Sequence, residues 1–250
     1  MHLTNKRALI TGGTKGIGAA IAADLARGGC DVAINGRHED ADAAETKRLV
    51  TEAGRRCVVI VADVAQPEEA VRTVQEAANA LGGVDILVHS AGGPSWGSID
   101  ECSPEQWRAT FAVHVDAAYY LCRAALPLMR LNRDGAIVLV SSSAGIRGVP
   151  GAIAYATVKG AILQFTRSLA RDVADDNIRV NCIAPGVIRT RFHEKMTPEA
   201  KAHNLAGRIP LHREGTAADV AEAVRLLVTN EFITGETIVI DGGMSMQICR

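Results

Sequence analysis

Aromatic side chains are scarce, with Phe, Trp and Tyr together making up 4% of the 250 residues. The chain holds three tyrosines, so one that falls in a patterned context stands out. Charge is not in excess either. Twenty-seven Lys and Arg against 28 Asp and Glu leave a net charge of −1, which offers no electrostatic footprint for nucleic acid. The six cysteines show no Cys-x-x-Cys spacing. They read as small buried residues or free thiols of a reducing compartment, and neither a disulfide framework nor a metal site is expected. No apolar run approaches membrane-spanning length, and the opening Met1-His2-Leu3-Thr4-Asn5-Lys6-Arg7 carries no apolar signal core. A cytoplasmic protein without a membrane partner is expected. No repeat, low-complexity tract or linker interrupts the chain.

What is abundant is small and apolar. Hydrophobic residues reach 48% and glycine numbers 24, a composition suited to Ala- and Val-rich helices packed closely on a parallel sheet. A chain of 250 residues buries a large core, and an α/β unit of this length is commonly one domain.

One of the three tyrosines sits in Tyr155-Ala-Thr-Val-Lys159. Residues four apart share a helix face, so Lys159 can hold its ammonium beside the Tyr155 phenol. A fixed cation is expected to lower the phenol pKa from about 10 toward the range where a general acid or base works best. Ser142, after the apolar run Ile137-Val138-Leu139-Val140, is placed to hydrogen-bond a reacting carbonyl or alcohol oxygen. A packed Tyr and a solvated Lys on an ordinary helix is the alternative.

The chain opens with the strand Ala8-Leu9-Ile10-Thr11, then Gly12-Gly13-Thr14-Lys15-Gly16-Ile17-Gly18, then a helical pattern from Ala19 to Arg27. Strand, glycine-rich turn and helix in that order form a phosphate cradle, because glycines admit close backbone approach and the helix N-terminus offers unpaired N–H groups. The spacing is Gly-x-x-x-Gly-x-Gly rather than the common Gly-x-Gly-x-x-Gly. A second strand, Asp31 to Asn35, is followed by Gly36-Arg37, where NAD-binding units usually carry an acid for the ribose hydroxyls. A guanidinium without that acid suits a 2′-phosphate, with Lys15 nearby; pairing of Arg37 with Glu39 or Asp40 is the competing reading.

The strand Cys57–Val61 ends just before Asp63, which can reach a ligand at the sheet edge or cap a turn. A helix runs from Pro67 to Leu81, and Gly82-Gly83 stops it. The strand Asp85–Val88 leads into His89-Ser90-Ala91-Gly92-Gly93, and the loop Pro94–Ser103, with Trp96, is either a substrate wall or plain surface. A long helix is expected from Pro104 to about Met129, with His114 near its middle. After the strand Ala136–Val140 comes the helix Gly151–Asp172, then the strand Ile178–Ala184. Residues 187–212 look least regular and carry Arg189, Arg191, His193, Lys195, Lys201, His203, Arg208 and His212. They read as a substrate loop whose charge suits an anion or simply a solvated face. A helix from Thr216 to Thr229 and a strand from Thr237 to Ile240 close the chain.

Together these features closely resemble the short-chain dehydrogenase/reductase family, over nearly the whole chain. The resemblance rests on Thr11-Gly12-x-x-x-Gly16-Ile17-Gly18, Asp63, Ala91-Gly92, Ser142, Tyr155-x-x-x-Lys159, Asn181, Pro185-Gly186, Thr190 and Asp241-Gly242-Gly243. It implies a single-domain, Rossmann-like, doubly wound parallel sheet of seven strands. It also implies hydride transfer between NADP(H), with NAD(H) as the alternative, and a carbonyl or secondary-alcohol substrate. Tyr155 is then the general acid/base, Ser142 orients the substrate oxygen, and Lys159 lowers the Tyr155 pKa and binds the nicotinamide ribose. Cofactor contacts fall to Gly12, Thr14, Lys15, Gly16, Ile17, Gly18, Arg37, Asp63, Val64, Ala91, Gly92, Tyr155, Lys159, Pro185, Gly186, Ile188 and Thr190. A homotetramer is implied as the assembly.

Two departures are visible. His89-Ser90-Ala91-Gly92 stands where the family commonly has Asn-Asn-Ala-Gly, altering contacts beneath the cofactor without touching the acid/base groups. His114 stands where the family's fourth catalytic residue, an Asn, contributes a backbone carbonyl that holds a relay water. A His keeps that carbonyl, so activity is expected to survive; a silenced, cofactor-binding regulatory protein is the rival.

Overall fold

The computed structural model describes residues 1–190 and 196–246. Seven parallel strands form one sheet in the order β3-β2-β1-β4-β5-β6-β7. They are β1 (Arg7–Thr11), β2 (Asp31–Gly36), β3 (Cys57–Val61), β4 (Ile86–His89), β5 (Gly135–Val140), β6 (Ile178–Pro185) and β7 (Thr237–Ile240). Parallel strands need crossover helices, which cover both faces of the sheet. That is why these strands read as near-continuous apolar runs. Side chains alternate between the faces: Leu9 joins one core with Leu87 and Leu139, while Ala8 and Ile10 join the other with Ile34 and Val88.

One face is covered by α1 (Gly16–Arg27), α2 (Ala41–Glu52) and α8 (Ala217–Thr229), which supply Ile21, Leu25, Val50, Val224 and Leu227 to its core. The other is covered by α3 (Pro67–Leu81), α5 (Ala117–Asn132) and α6 (Ile153–Asp172), through Val74, Leu121, Met129 and Ile162. Local chemistry sets the helix ends. Asp40 caps α2 by accepting from the Asp42 and Ala43 amides, Pro67 opens α3, Gly82 closes it at φ 85°, and Thr216 with Asp219 forms a capping box on α8.

The expected helix from Pro104 is present but not uniform. It consists of α4 (Pro104–Phe111), a π turn at Ala112–Asp116, and α5, which runs past Met129 to Asn132. His114 is the buried residue of this π turn, which helical periodicity does not announce. The helix expected from Gly151 begins at Ile153, because Gly151 takes φ 66°. Within 187–212, a short helix α7 (Pro198–His203) and a second π turn at Asn204–Arg208 are formed. No helix among the described residues is long and apolar enough to cross a membrane.

Strand order reverses between β1 and β4, and the crevice at the carboxyl ends of those strands is where a ligand fits in such sheets. Thr11, His89, Val140 and Pro185 end the four central strands on that edge.

Candidate active site

The glycine-rich turn after β1 is shaped by backbone contact. Gly12 has φ 62° and packs so closely on the 90–91 backbone that a Cβ would lie 2.8 Å from the Ala91 nitrogen. Gly16 has φ 59°, and a Cβ on Gly18 would lie 2.2 Å from the Gly12 carbonyl oxygen. Side chains there would push the turn away from both the start of α1 and the Ala91-Gly92 segment. The turn therefore presents backbone amides at the N-terminus of α1, a ready anion cradle.

Arg37, just past β2, is exposed, and among the described residues it forms no ion pair or hydrogen bond. Asp40 is occupied with capping α2, so one of the two acids expected to compete for Arg37 is engaged elsewhere. Lys15 lies close enough to Asp40 to help hold its carboxyl below the usual range, behind the stronger hydrogen bonds from the Ala43 and Asp42 amides. Gly36 faces Thr14, where a Cβ would come within 2.5 Å of the threonine methyl. The missing acid after β2 thus has a packing cause as well as an electrostatic consequence.

Other residues expected at the ligand edge sort into two kinds. The side chains of Val64 and Ile188 are buried in the two cores, so they offer a ligand only their backbones. Asp63 accepts from the Ala65 amide at 3.1 Å and so serves a turn. Gly186 donates to the Ile240 carbonyl at 2.9 Å and has no room for a Cβ, which would lie 2.6 Å from that of Asp241. Thr190 remains half-buried near the glycine-rich turn, where a Cβ on Gly16 would lie 3.7 Å from the threonine side chain. Arg191, His193 and Lys195 lie outside the described residues. Arg189 pairs with Glu214, and Lys201 and His203 are exposed.

Ser142, Tyr155 and Lys159 come together at the ends of β5 and the start of α6. Ser142 accepts from the Ala144 amide at 3.1 Å and hydrogen-bonds the Tyr155 hydroxyl. Lys159 donates from Nζ to the Val140 carbonyl at 2.8 Å, with Nζ 5.5 Å from the Tyr155 ring centre. Ser141 donates to the Lys159 carbonyl at 2.6 Å. Gly145 lets the turn after Ser142 press on α6, since a Cβ there would lie 2.5 Å from the Lys159 carbonyl carbon. Serine hydroxyls and a missing side chain thus fix α6 against the end of β5.

The electrostatics differ from the expectation that Lys159 depresses the phenol. Burial pushes the Tyr155 pKa up, and the Ser142 hydrogen bond offsets part of that rise. Burial also pushes Lys159 down to about 8, and its ammonium is directed at a carbonyl rather than at the phenol oxygen. Tyr155 is thereby held as a protonated acid at neutral pH.

His114, on the π turn, is 2% exposed and contacts Tyr155 edge-on, with ring centres 5.8 Å apart. Its Nε2 lies 3.1 Å from the Gly93 carbonyl, and its ring fills the space where a Cβ on Gly92 would stand. Burial, reinforced by Lys159, pushes its pKa down to about 2, so the ring is neutral at any working pH. The sequence pattern placed His114 at the site; it missed the π turn, the Val140 carbonyl and the part of Ser141. Their only advance sign was the run Ser141-Ser142-Ser143 directly after a buried strand.

A family model described as enoyl-(acyl carrier protein) reductase matches residues 12–245. The 3-oxoacyl-[acyl-carrier-protein] reductase FabG of Chlamydia muridarum is 36% identical over 245 residues, covering 97% of this chain and 98% of the relative. The chain belongs to the short-chain dehydrogenase/reductase family. Among solved members, a short chain dehydrogenase from Burkholderia cenocepacia in complex with NADP superposes with a TM-score of 0.91 at 36% identity, covering 98% of this chain and 99% of that one. A blue fluorescent protein from a metagenomic library, in complex with NADPH, superposes with a TM-score of 0.91 at 32% identity, covering 98% and 100%. Membership makes this an oxidoreductase fold.

Proposed function

We propose that this short-chain dehydrogenase/reductase transfers a hydride between NADP(H) and a carbonyl or secondary-alcohol substrate, with Tyr155 as general acid/base. The observation that carries this is the half-buried Ser142–Tyr155 contact backed by the buried Lys159, on the same sheet edge as the glycine cradle. The residues fit such a cofactor. Gly12, Gly16 and Gly18 leave the backbone open to a pyrophosphate, and Arg37, without an acidic partner among the described residues, is a donor for a 2′-phosphate. The bound nicotinamide supplies or accepts the hydride.

Tyr155, kept protonated by burial, donates its phenolic proton to the substrate oxygen in reduction and takes it back in oxidation. Ser142 hydrogen-bonds that same oxygen and holds it beside the phenol. Lys159, anchored on Val140, keeps a positive charge behind Tyr155 and would hold the nicotinamide ribose when the cofactor is bound. His114 serves through its backbone carbonyl on the π turn, a geometry that favours activity over a silenced protein.

The test is turnover with both cofactors against acetoacetyl-coenzyme A, cyclohexanone, fructose and gluconate. The 3-oxoacyl thioester leads the panel because two matches carry acyl-carrier-protein reductase names. Higher kcat/KM with NADPH is expected, and Arg37→Ala should weaken NADP(H) by about ten- to a hundredfold, one charge-assisted bond, while leaving NAD(H) nearly unchanged. A wild-type preference for NADH, or no turnover on the panel, contradicts the proposal. The proposed assembly is a homotetramer, supported by the exposed Tyr119 and Leu131 on α5 and Ile153 at the start of α6. Light scattering that finds a stable monomer at micromolar concentration contradicts it.

A further inference from the structure

His89 ends β4 and is 3% exposed, yet only one of its ring nitrogens has a hydrogen-bond partner. Nδ1 lies 2.8 Å from the Thr11 hydroxyl at the end of β1. Nε2 is buried without a hydrogen bond. The backbone carbonyls of Val113 and His114 on the π turn lie close enough to the ring to act on it, and with Nδ1 engaged by Thr11 they are left to Nε2. A buried imidazole nitrogen left without any partner is costly, so its direction carries information. Thr11 Oγ1 already accepts from the Ala91 amide at 3.4 Å, which leaves its own proton for Nδ1. The imidazole proton then sits on Nε2, aimed at the two carbonyls. In return, His114 reaches from the π turn to the Gly93 carbonyl, four residues beyond His89. His114 thus ties the loop after β4 to the π turn, and an Nε2–H on His89 would tie the end of β4 to the same turn from the other side. Both stand where the family has asparagine.

We propose that His89 is a positioning residue of the reaction site: its Nε2–H holds the Val113 and His114 carbonyls, and through them sets where the π turn stands against Tyr155. The proposal rests on the functional reading above for what is positioned, but not for the clasp itself. It also replaces the expectation that His89 alters only contacts beneath the cofactor. The charged or titratable groups facing its ring are Lys159 and His114; with burial, Lys159 disfavours its protonation, so a neutral donor is what the site contains.

Two experiments test this. In the protein without cofactor, NMR of ¹⁵N-labelled histidine should show His89 as the Nε2–H tautomer, neutral down to pH 5. Thr11→Val, which removes the Nδ1 partner at equal size, should weaken that preference without reversing it, because the two carbonyls still select Nε2–H. An Nδ1–H tautomer, or titration of His89 near its ordinary value of about 6.5, overturns the proposal. In turnover of acetoacetyl-coenzyme A with NADPH, His89→Leu should lower kcat at least tenfold while changing NADPH affinity less than threefold, and should speed amide exchange at 112–117. His89→Asn and His89→Gln, which keep an N–H donor, should recover at least half of the lost kcat. Unchanged kcat in His89→Leu overturns the proposal, as do kcat and NADPH affinity lost together, or donor variants that fold with wild-type melting temperature and recover nothing. Absence of turnover in the wild type speaks against the functional reading and leaves the NMR result to decide the clasp.

Discussion

The two edges of the sheet treat charge in opposite ways. At the amino edge, charge meets charge or a carbonyl at once. Asp85, whose side chain is 2% exposed, receives the Arg7 guanidinium at 2.7 Å through two nitrogens and the Asn132 amide at 3.1 Å. Asp31 receives Arg55 and Arg56, Lys6 pairs with Asp134, and Arg179 donates both terminal nitrogens to the last carbonyls of α8, at Leu227 and Val228. At the carboxyl edge, Lys159, His89 and His114 are buried, with Lys159 and His114 against the Tyr155 ring, and among the described residues none of these three has an ion-pair partner. Their partners are carbonyls and hydroxyls. The first arrangement holds native charges at low energy and stabilises the fold; the second shifts pKa values and leaves groups ready to exchange protons.

The contrast breaks most sharply at Lys159. Lys159→Met should lower turnover by about 10²–10⁴, the range of an acid/base group, while the melting temperature rises, because a desolvated cation is removed. Steady-state kinetics and calorimetry on the same preparation check both halves; a large loss of stability would mean that the cation holds the fold. Asp85→Ala is the converse. It should cost about 3 kcal/mol of unfolding free energy by leaving Arg7 unpaired, with kcat within twofold of wild type. Denaturant titration measures it, and a loss of kcat in protein that is still folded would erase the distinction between the edges.

Acid sharpens the comparison further. The folded-state pKa values of His89 and His114, about 4 and about 2, lie below the unfolded value of about 6.5. Below that value the unfolded chain binds protons that the folded protein refuses. Stability therefore falls as pH drops from 6.5, with a slope approaching about 1.4 kcal/mol per pH unit for each histidine. The window for His89 closes near pH 4, and that for His114 extends lower. The double variant His89→Asn, His114→Asn should show a clearly shallower fall between pH 6.5 and 5 in urea titrations. A smaller effect is expected on rates: with Tyr155 raised and Lys159 near 8, reduction should be level through neutral pH and decline above about 8, while alcohol oxidation rises with pH. A pH–rate profile in both directions measures it.

Most of the fold was legible in the chain. The central strand Ala136–Val140 shows the unbroken apolar run of a buried parallel strand, while the similar run Cys57–Val61 lies at the sheet edge with only Ile60 buried; Gly82-Gly83, Pro67 and Thr216 mark helix ends through local chemistry. The grouping of Ser142, Tyr155 and Lys159 was legible because it is carried by spacing and residue type. The π turn was not, since no residue of Ala112–Asp116 marks it by type or spacing. Nor was the tilt of the Tyr155 pKa, which depends on burial that a linear pattern does not display. Gly36 teaches a related lesson. Read alone it signals cofactor choice, yet Thr14 leaves no space for a Cβ there. A Gly36→Asp change therefore disturbs packing together with charge, and Arg37→Ala is the cleaner probe of the 2′-phosphate.

The central claim is that the carboxyl edge is a proton-transfer site built around Tyr155. Tyr155→Phe removes one hydroxyl and almost no volume, so it separates chemistry from binding. NADPH fluorescence titration and turnover of acetoacetyl-coenzyme A should be measured on the variant and the wild type together. The account predicts NADPH affinity within threefold of wild type and turnover lower by about 10²–10⁴. Turnover within tenfold of wild type, with binding intact, would contradict it.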